Sequence, residues 1–382
     1  MHRFFIVVLF CILTTTCGTA SSAANDLEED VKKVMRQYDA IGVSVAVIKD
    51  NKVIYNKPFG LADNAMKRPT KSDAIYWWAS VSKTYISTAI MQLVENDKLS
   101  LDDDVNKYLN FKVRNPSFPD TPITIRMLLS HRSSLNDNKF RIGYDALIPE
   151  KNKEYKKTYN QYAPGFSWDY CDLNYTLLAA IIEKVSGERF DRYIRKHITE
   201  PLGIYGSFNK LDLDSSRFVK AYNYNQKNRV FVEYKYKLRR YDKESLKDYV
   251  MGYSTTCFSP AGGMRMTVMD MTKWTMAHMN YGEYDGKRIL SKESELKMWQ
   301  PQNEDRNYGF AFSQYPKVVK GVNFRGMTGG TCGIHSLMFF EPEKKFGFVV
   351  ICNGCTSKSA NGAEMNYEIV RVLYKHFIEG NN

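Results

Sequence analysis

The chain has 382 residues, 43% hydrophobic and 25% charged, the size and mixture of a large globular enzyme built as one big domain or two interleaved ones. Its formal net charge of +12 favours anionic surfaces. The Lys and Arg residues are spread along the chain and no nucleic-acid-binding motif occurs, which excludes nucleic acid and leaves an anionic envelope polymer or substrate as the expected partner.

The chain begins Met1-His2-Arg3, runs through ten apolar residues at 4–13, and reaches small residues at Ala20-Ser21-Ser22-Ala23-Ala24. This order predicts a secretory signal over 1–24, too short to span a membrane, and therefore an exported protein, periplasmic or secreted. Cys17 follows Thr14-Thr15-Thr16, a poor match to a lipoprotein signal, so lipid anchoring there is the minor reading. With Cys11 and Cys17 in the leader, Cys171, Cys257, Cys332, Cys352 and Cys355 remain, an odd number that leaves a thiol unpaired.

Residues 42–48 and 52–57 are β-branched-rich runs around Asp50-Asn51 and predict a hairpin. Ser80-Val81-Ser82-Lys83 then opens a helix whose apolar Ile86, Ala89, Ile90, Leu93 and Val94 follow the 3.6 period. Ser80 and Lys83 share a face, so a lysine amine stands beside a hydroxyl at a helix N-terminus, where developing negative charge is favoured. The tetrapeptide is short, and Ser294-Glu295-Leu296-Lys297 repeats it in a charged, solvated stretch. About ninety residues on, Pro164-Gly165-Phe166-Ser167-Trp168-Asp169-Tyr170-Cys171-Asp172 precedes a helix carrying Leu177, Leu178, Ile181, Ile182 and Val185 and stopped by Gly187. A turn thus presents Tyr170 at a buried helix.

Residues 336–340 and 346–352 form a second hairpin pattern, and a last helix carries Ile369, Val372, Leu373 and Phe377 on one face. Cys352-Asn353-Gly354-Cys355 has redox or metal spacing without a second pair and reads as inert or locally bridged. The six histidines form neither H-E-x-x-H nor H-x-H-x-D, so no metal or other cofactor is assigned. Strands near both termini around a helical middle predict an α+β architecture: an antiparallel sheet from about 30–72 and 258–382, flanked by terminal helices, with a helical region inserted at about 73–257 of one domain, 25–382.

In these motifs the chain resembles the penicillin-recognising serine hydrolases, the family of class C β-lactamases, D-alanyl-D-alanine carboxypeptidases and related esterases. Ser80-x-x-Lys83 stands as its first motif and Tyr170-Cys171-Asp172 as its Y-x-N motif. The rival Tyr108-Leu109-Asn110 resembles a segment without chemistry. Met127 to Leu135 resembles its L-L-T-H-T-S-G-L turn, in which His131 is read as structural. Pro201-Leu202-Gly203 and Ser259-Pro260-Ala261-Gly262-Gly263-Met264 follow in family order, and Met327-Thr328-Gly329-Gly330 stands at the K-T-G or H-T-G strand. The resemblance implies a β-lactamase/transpeptidase-like fold in which Ser80 is acylated, Lys83 and Tyr170 relay its proton, and the N–H groups of Ser80 and Gly330 form the oxyanion hole. Asp172, Met327, Thr328 and Gly329 are the implied substrate-binding positions.

Two residues depart from the family pattern. Asp172 replaces its Asn and puts a carboxylate near Lys83, either orienting the lysine, entering the proton relay or favouring a substrate with an amine. Met327 replaces its Lys or His and offers no charge to a substrate carboxylate, a role left to Arg325 or Arg265. Both point to an esterase or amidase acting on an ester or D-amino-acyl bond of a small-molecule or cell-envelope substrate, such as D-alanyl groups on an anionic polymer. A β-lactamase or carboxypeptidase is the alternative, and a catalytically weak binding protein the alternative of another class. Cys171 and Cys332, each in a motif, are a candidate disulfide.

Overall fold

The computed structural model describes residues 18–138, 140–235, 246–303, 306–356 and 363–379. The apolar run of the expected leader and Cys17 lie outside these, while residues 18–24 open the first helix, α1 (Gly18–Gln37). Asp50 and Asn51 both take positive φ, 50° and 59°, the geometry of a tight hairpin turn. They join β1 (Gly42–Lys49) to β2 (Lys52–Asp63), and β3 (Arg68–Pro69) adds to the end of β2. Later come β4 (Ser313–Tyr315), β5 (Phe324–Thr331), β6 (Ile334–Glu341) and β7 (Phe346–Cys352). Together they make a seven-stranded antiparallel sheet in the order β4-β5-β6-β7-β1-β2-β3. The two chain ends meet at its centre, where β7 pairs with β1 from Val43 opposite Cys352 to Lys49 opposite Phe346.

The helices that close the sheet and position the site are α1, α2 (Lys83–Glu95), α3 (Asp172–Ser186), α4 (Val268–Met279) and α5 (Ala363–Phe377). Because strand side chains alternate, Val43, Val45, Val47, Phe348 and Val350 face α1 and α5, where Leu27, Val31, Ile369 and Leu373 meet them. Ala46, Ile48, Val349 and Ile351 face the opposite way, toward α4 and the inserted region. Both faces are covered, which is why β1 and β7 read as nearly continuous apolar runs rather than alternating ones.

The chain re-enters the main sheet at Ser313, not near 258. Residues 268–279 form α4 instead, whose Trp274 and Met271 are buried against the sheet. The insertion is not purely helical: Tyr76–Trp77, Arg265–Met266 and Gly206–Ser207 form a small sheet, and Tyr222–Asn225 pairs with Val230–Glu233. Among the described residues no helix is long and apolar enough to cross a membrane.

Candidate active site

Ser80 sits in a 3-10 turn, Ala79–Ser82, that runs directly into α2. The turn is held from several sides. Trp78 donates its backbone N–H to Met264 (3.0 Å) and its indole N–H to Met266 (3.0 Å), while its carbonyl accepts from Ser336 Oγ (2.9 Å) on β6. Ser82 Oγ accepts from the Met264 N–H at 3.0 Å. Ala79 takes φ 49°, a left-handed conformation costly for a residue with a Cβ, immediately before the half-buried serine. Ile86, Ala89, Ile90 and Leu93 anchor α2 in the core behind it.

Lys83 is fully buried, and its three ammonium donors are all used: Ser80 Oγ at 3.2 Å, Asp172 Oδ1 at 2.6 Å and the Ala261 carbonyl at 2.8 Å. Burial pushes the Lys83 amine down, but the Asp172 carboxylate and Tyr170 oxygen outweigh it and hold the amine above its ordinary value. Tyr170 donates its hydroxyl to Ser80 Oγ at 2.7 Å. Burial and the Asp172 charge raise the phenol, against the Lys83 ammonium, so it rests protonated. Ser80 Oγ therefore receives hydrogen bonds from both Lys83 and Tyr170, with a carboxylate one bond further along.

Asp137 and Asn174, which the sequence did not single out, hold this arrangement together with His131, read there as structural. Cys171, at the N-cap of α3, gives no capping bond. Asp137 supplies it from a distant turn, accepting from the N–H groups of Asp172 (2.7 Å) and Leu173 (3.0 Å) and from the Cys171 thiol (3.3 Å). The missing local cap was the only signal in the sequence. His131, at φ 55° in its turn, accepts at Nδ1 from the Cys171 N–H (3.2 Å) and packs its ring 4.4 Å from that of Tyr170. Burial and the Lys83 charge hold it well below the usual histidine range, so it is neutral. Asn174, two residues past the departing Asp172, is buried and accepts from Ser133 Oγ at 2.6 Å.

On β5, Met327 and Gly329 face the serine turn. A Cβ at Gly329 would lie 2.6 Å from Ser336 Oγ, 2.7 Å from the Trp78 carbonyl and 3.0 Å from Ser80 N, so close approach rather than backbone angle requires glycine here. Thr328 turns to the other face, toward the Tyr315 hydroxyl. Strand alternation forces this once Met327 and Gly329 face inward, so the Thr328 side chain does not share their face. Its N–H lies on the strand edge toward β4, and two residues on Gly330 presents its own N–H along the same edge. Met327 is buried. Arg325 lies over the Trp299 ring (5.2 Å) and Arg265 over Trp77 (5.5 Å), with Nη1 on the Gly263 carbonyl.

The rival motifs stand apart. Tyr108 bonds Asp103, and Lys297 meets Glu293 at 3.7 Å on an exposed face of Lys292–Trp299. None of the five cysteines in the described chain takes part in a disulfide. A Cys171–Cys332 bridge is not formed, because the Cys171 thiol points to Asp137 while Cys332 Sγ accepts from Thr331 Oγ1 at 3.3 Å. Among the described residues no cluster of three or more His, Cys, Asp or Glu side chains is placed to hold a metal ion.

A family model described as β-lactamase matches residues 27–370. The putative penicillin-binding protein PbpX of Bacillus subtilis (strain 168) is 31% identical over 305 residues, covering 77% of this chain and 69% of that protein. The octameric penicillin-binding protein homologue from Pyrococcus abyssi has a similar fold, with TM-score 0.73 and 26% identity over 92% of this chain and 77% of the other. The D-amino acid amidase from Ochrobactrum anthropi SV3 shares the fold at TM-score 0.68 and 18% identity, covering 93% of this chain and 99% of its own.

Proposed function

Because the chain belongs to the β-lactamase family and is a serine hydrolase of that family, we propose that it works through a Ser80 acyl-enzyme on ester or D-amino-acyl bonds. The observation that carries this reading is the position of the Lys83 ammonium, fully buried between Ser80 Oγ and the Asp172 carboxylate. A lysine held charged is a poor base by itself. As Ser80 attacks the acyl carbonyl, its proton passes to Lys83 Nζ while Lys83 passes one to Asp172 Oδ1. Tyr170, bonded to Ser80 Oγ, then donates to the leaving group and is reprotonated from Lys83. The tetrahedral oxyanion sits between the N–H groups of Ser80 and Gly330, the latter on the open strand edge. Water attacks the acyl-enzyme by the reverse relay.

Asp172 is 38% exposed, so it also presents negative charge to the site, which suits a substrate bearing an amine. The buried Met327 thioether supplies no charge for a β-lactam or C-terminal carboxylate. An exported enzyme acting on D-alanyl groups of an anionic envelope polymer fits these features, the net charge of +12 and the leader-like order of residues 1–24. Incubation with a fluorophosphonate, a penicillin and an aryl ester, read by intact-protein mass alongside Ser80→Ala, tests the proposal. Fluorophosphonate or ester labelling that requires Ser80, and faster turnover of short-chain aryl esters than of a chromogenic cephalosporin, is expected. The reverse ranking points to a β-lactamase or carboxypeptidase, and no adduct from any reagent points to a binding protein.

A further inference from the structure

Two buried thiols stand outside the acyl chemistry. Cys352 ends β7, opposite Val43 of β1 on one side and His335 of β6 on the other. Cys355 follows after Asn353 and Gly354. Their exposures are 0% and 5%, and both lie in the core between the sheet and the terminal helices. Cys355 is the neighbouring group that acts on the Cys352 thiol, and the Gly354 N–H donates to Cys352 Sγ at 3.3 Å. Two cysteines three apart that are buried in the same core cluster have the local placement a short bridge requires. The backbone around them is pinned independently of the sulfurs. Asn353 N–H donates to Gly42 (3.2 Å), the Asn353 carbonyl accepts from Tyr222 (2.9 Å), the Gly354 carbonyl accepts from Ile41 (2.9 Å), and Thr356 N–H donates to Tyr38 (2.8 Å).

We propose that Cys352 and Cys355 form a thiol–disulfide site that closes to an intrachain bridge when the chain folds in an oxidising environment. The co-reactant is a small disulfide such as oxidised glutathione. The Cys355 thiolate, on the less enclosed side, attacks one of its sulfurs and expels the first thiolate; Cys352 then loses its proton to solvent base, attacks Cys355 Sγ of the mixed disulfide and expels the second. Two S–H bonds are lost, one S–S bond forms, and the small disulfide is reduced to two thiols. In the finished fold, burial holds the Cys352 thiol well above its ordinary value. Thiolate formation there is disfavoured, so closure precedes the packing of β7 against α5, and the completed bridge is sheltered from reductant. It closes the turn whose Asn353 and Gly354 backbone groups hold β1 and the Tyr222 strand.

The full chain is refolded from urea with and without a reduced and oxidised glutathione couple, alkylated with iodoacetamide in denaturant, and digested with trypsin. The expected result with the couple is an unalkylated tryptic peptide 346–358, two hydrogens lighter, that takes up two alkyl groups only after reduction. Refolded without the couple, the same wild-type peptide alkylates at both sulfurs and the protein melts about 2–4 °C lower. Alkylation of both sulfurs without reductant after refolding with the couple overturns the proposal, as does a bridge that maps to Cys171, Cys257 or Cys332. Ser80 labelling is a separate readout, so the two proposals fail independently.

Discussion

Asp172→Asn keeps the size of the side chain and removes its charge from a fully buried ammonium 2.6 Å away. At an effective dielectric constant of about 20, unit charges at that distance attract by roughly 6 kcal/mol. Asp172 is 38% exposed, and solvent on that side, with the cost of desolvating the ammonium, leaves about 2–3 kcal/mol of net interaction. If the carboxylate takes the relayed proton, that much is lost from the transition state, a fall in kcat/KM of about 30- to 150-fold at neutral pH. The pH dependence carries the sign. In the native protein the carboxylate keeps Lys83 charged beyond the usual lysine range. In the variant only Tyr170 still opposes burial and the amine falls relative to the native protein, so kcat/KM regains ground as pH rises from about 7 to 10 and the neutral amine becomes the base. Stability follows the same linkage. A raised lysine stabilises the fold fully below its unfolded value, and the contribution fades as pH rises through the higher folded one, so the variant's deficit narrows only above about pH 10. The assay is initial-rate hydrolysis of a p-nitrophenyl ester across this range, with thermal melts in parallel. An unchanged rate and profile would refute both the relay and the orienting role.

Gly329→Ala forces a Cβ against the Trp78 carbonyl and Ser80 N; a loss of about 100-fold or more in kcat with unaltered far-UV circular dichroism is expected, and near-native turnover would show that the close approach does not matter. His278 and Glu295 are both fully buried and joined at 2.8 Å, so Glu295→Ala, which strands the imidazole, lowers stability by about 3 kcal/mol in urea unfolding, whereas a loss under about 1 kcal/mol contradicts the assignment. At Asp63, burial alone raises the carboxyl, but the Met66 N–H, Lys220 and Tyr222 overcome it and lower it to about 2. Its stabilisation is complete above the ordinary carboxylate range and disappears as pH falls toward about 2, so Asp63→Asn flattens the acid unfolding curve there, and parallel curves would remove Asp63 from the account.

Features whose causes lie within a few residues were legible without the fold. The Asp50-Asn51 hairpin, the strands ending near Lys49 and Cys352, the buried face of α5 and the Gly187 stop of α3 follow from turn chemistry and periodicity. The Ser80–Lys83 contact belongs with them, because a spacing of three on a helical turn brings side chains together whatever surrounds them. Tyr170 and Asp172 were placed by resemblance, but their convergence on Lys83 across roughly ninety residues was decided by the packing of α3 against α2. Local pattern carries no record of long loop closures. Hence the pairing of β7 with β1, the Ala261 carbonyl under Lys83 and the Asp137 cap of α3 emerged only in three dimensions. Thr328 shows the limit most directly. Its motif implied a place in the site, yet once Gly329 must lie against Ser80, a strand's alternation leaves the preceding side chain nowhere to go but the opposite face.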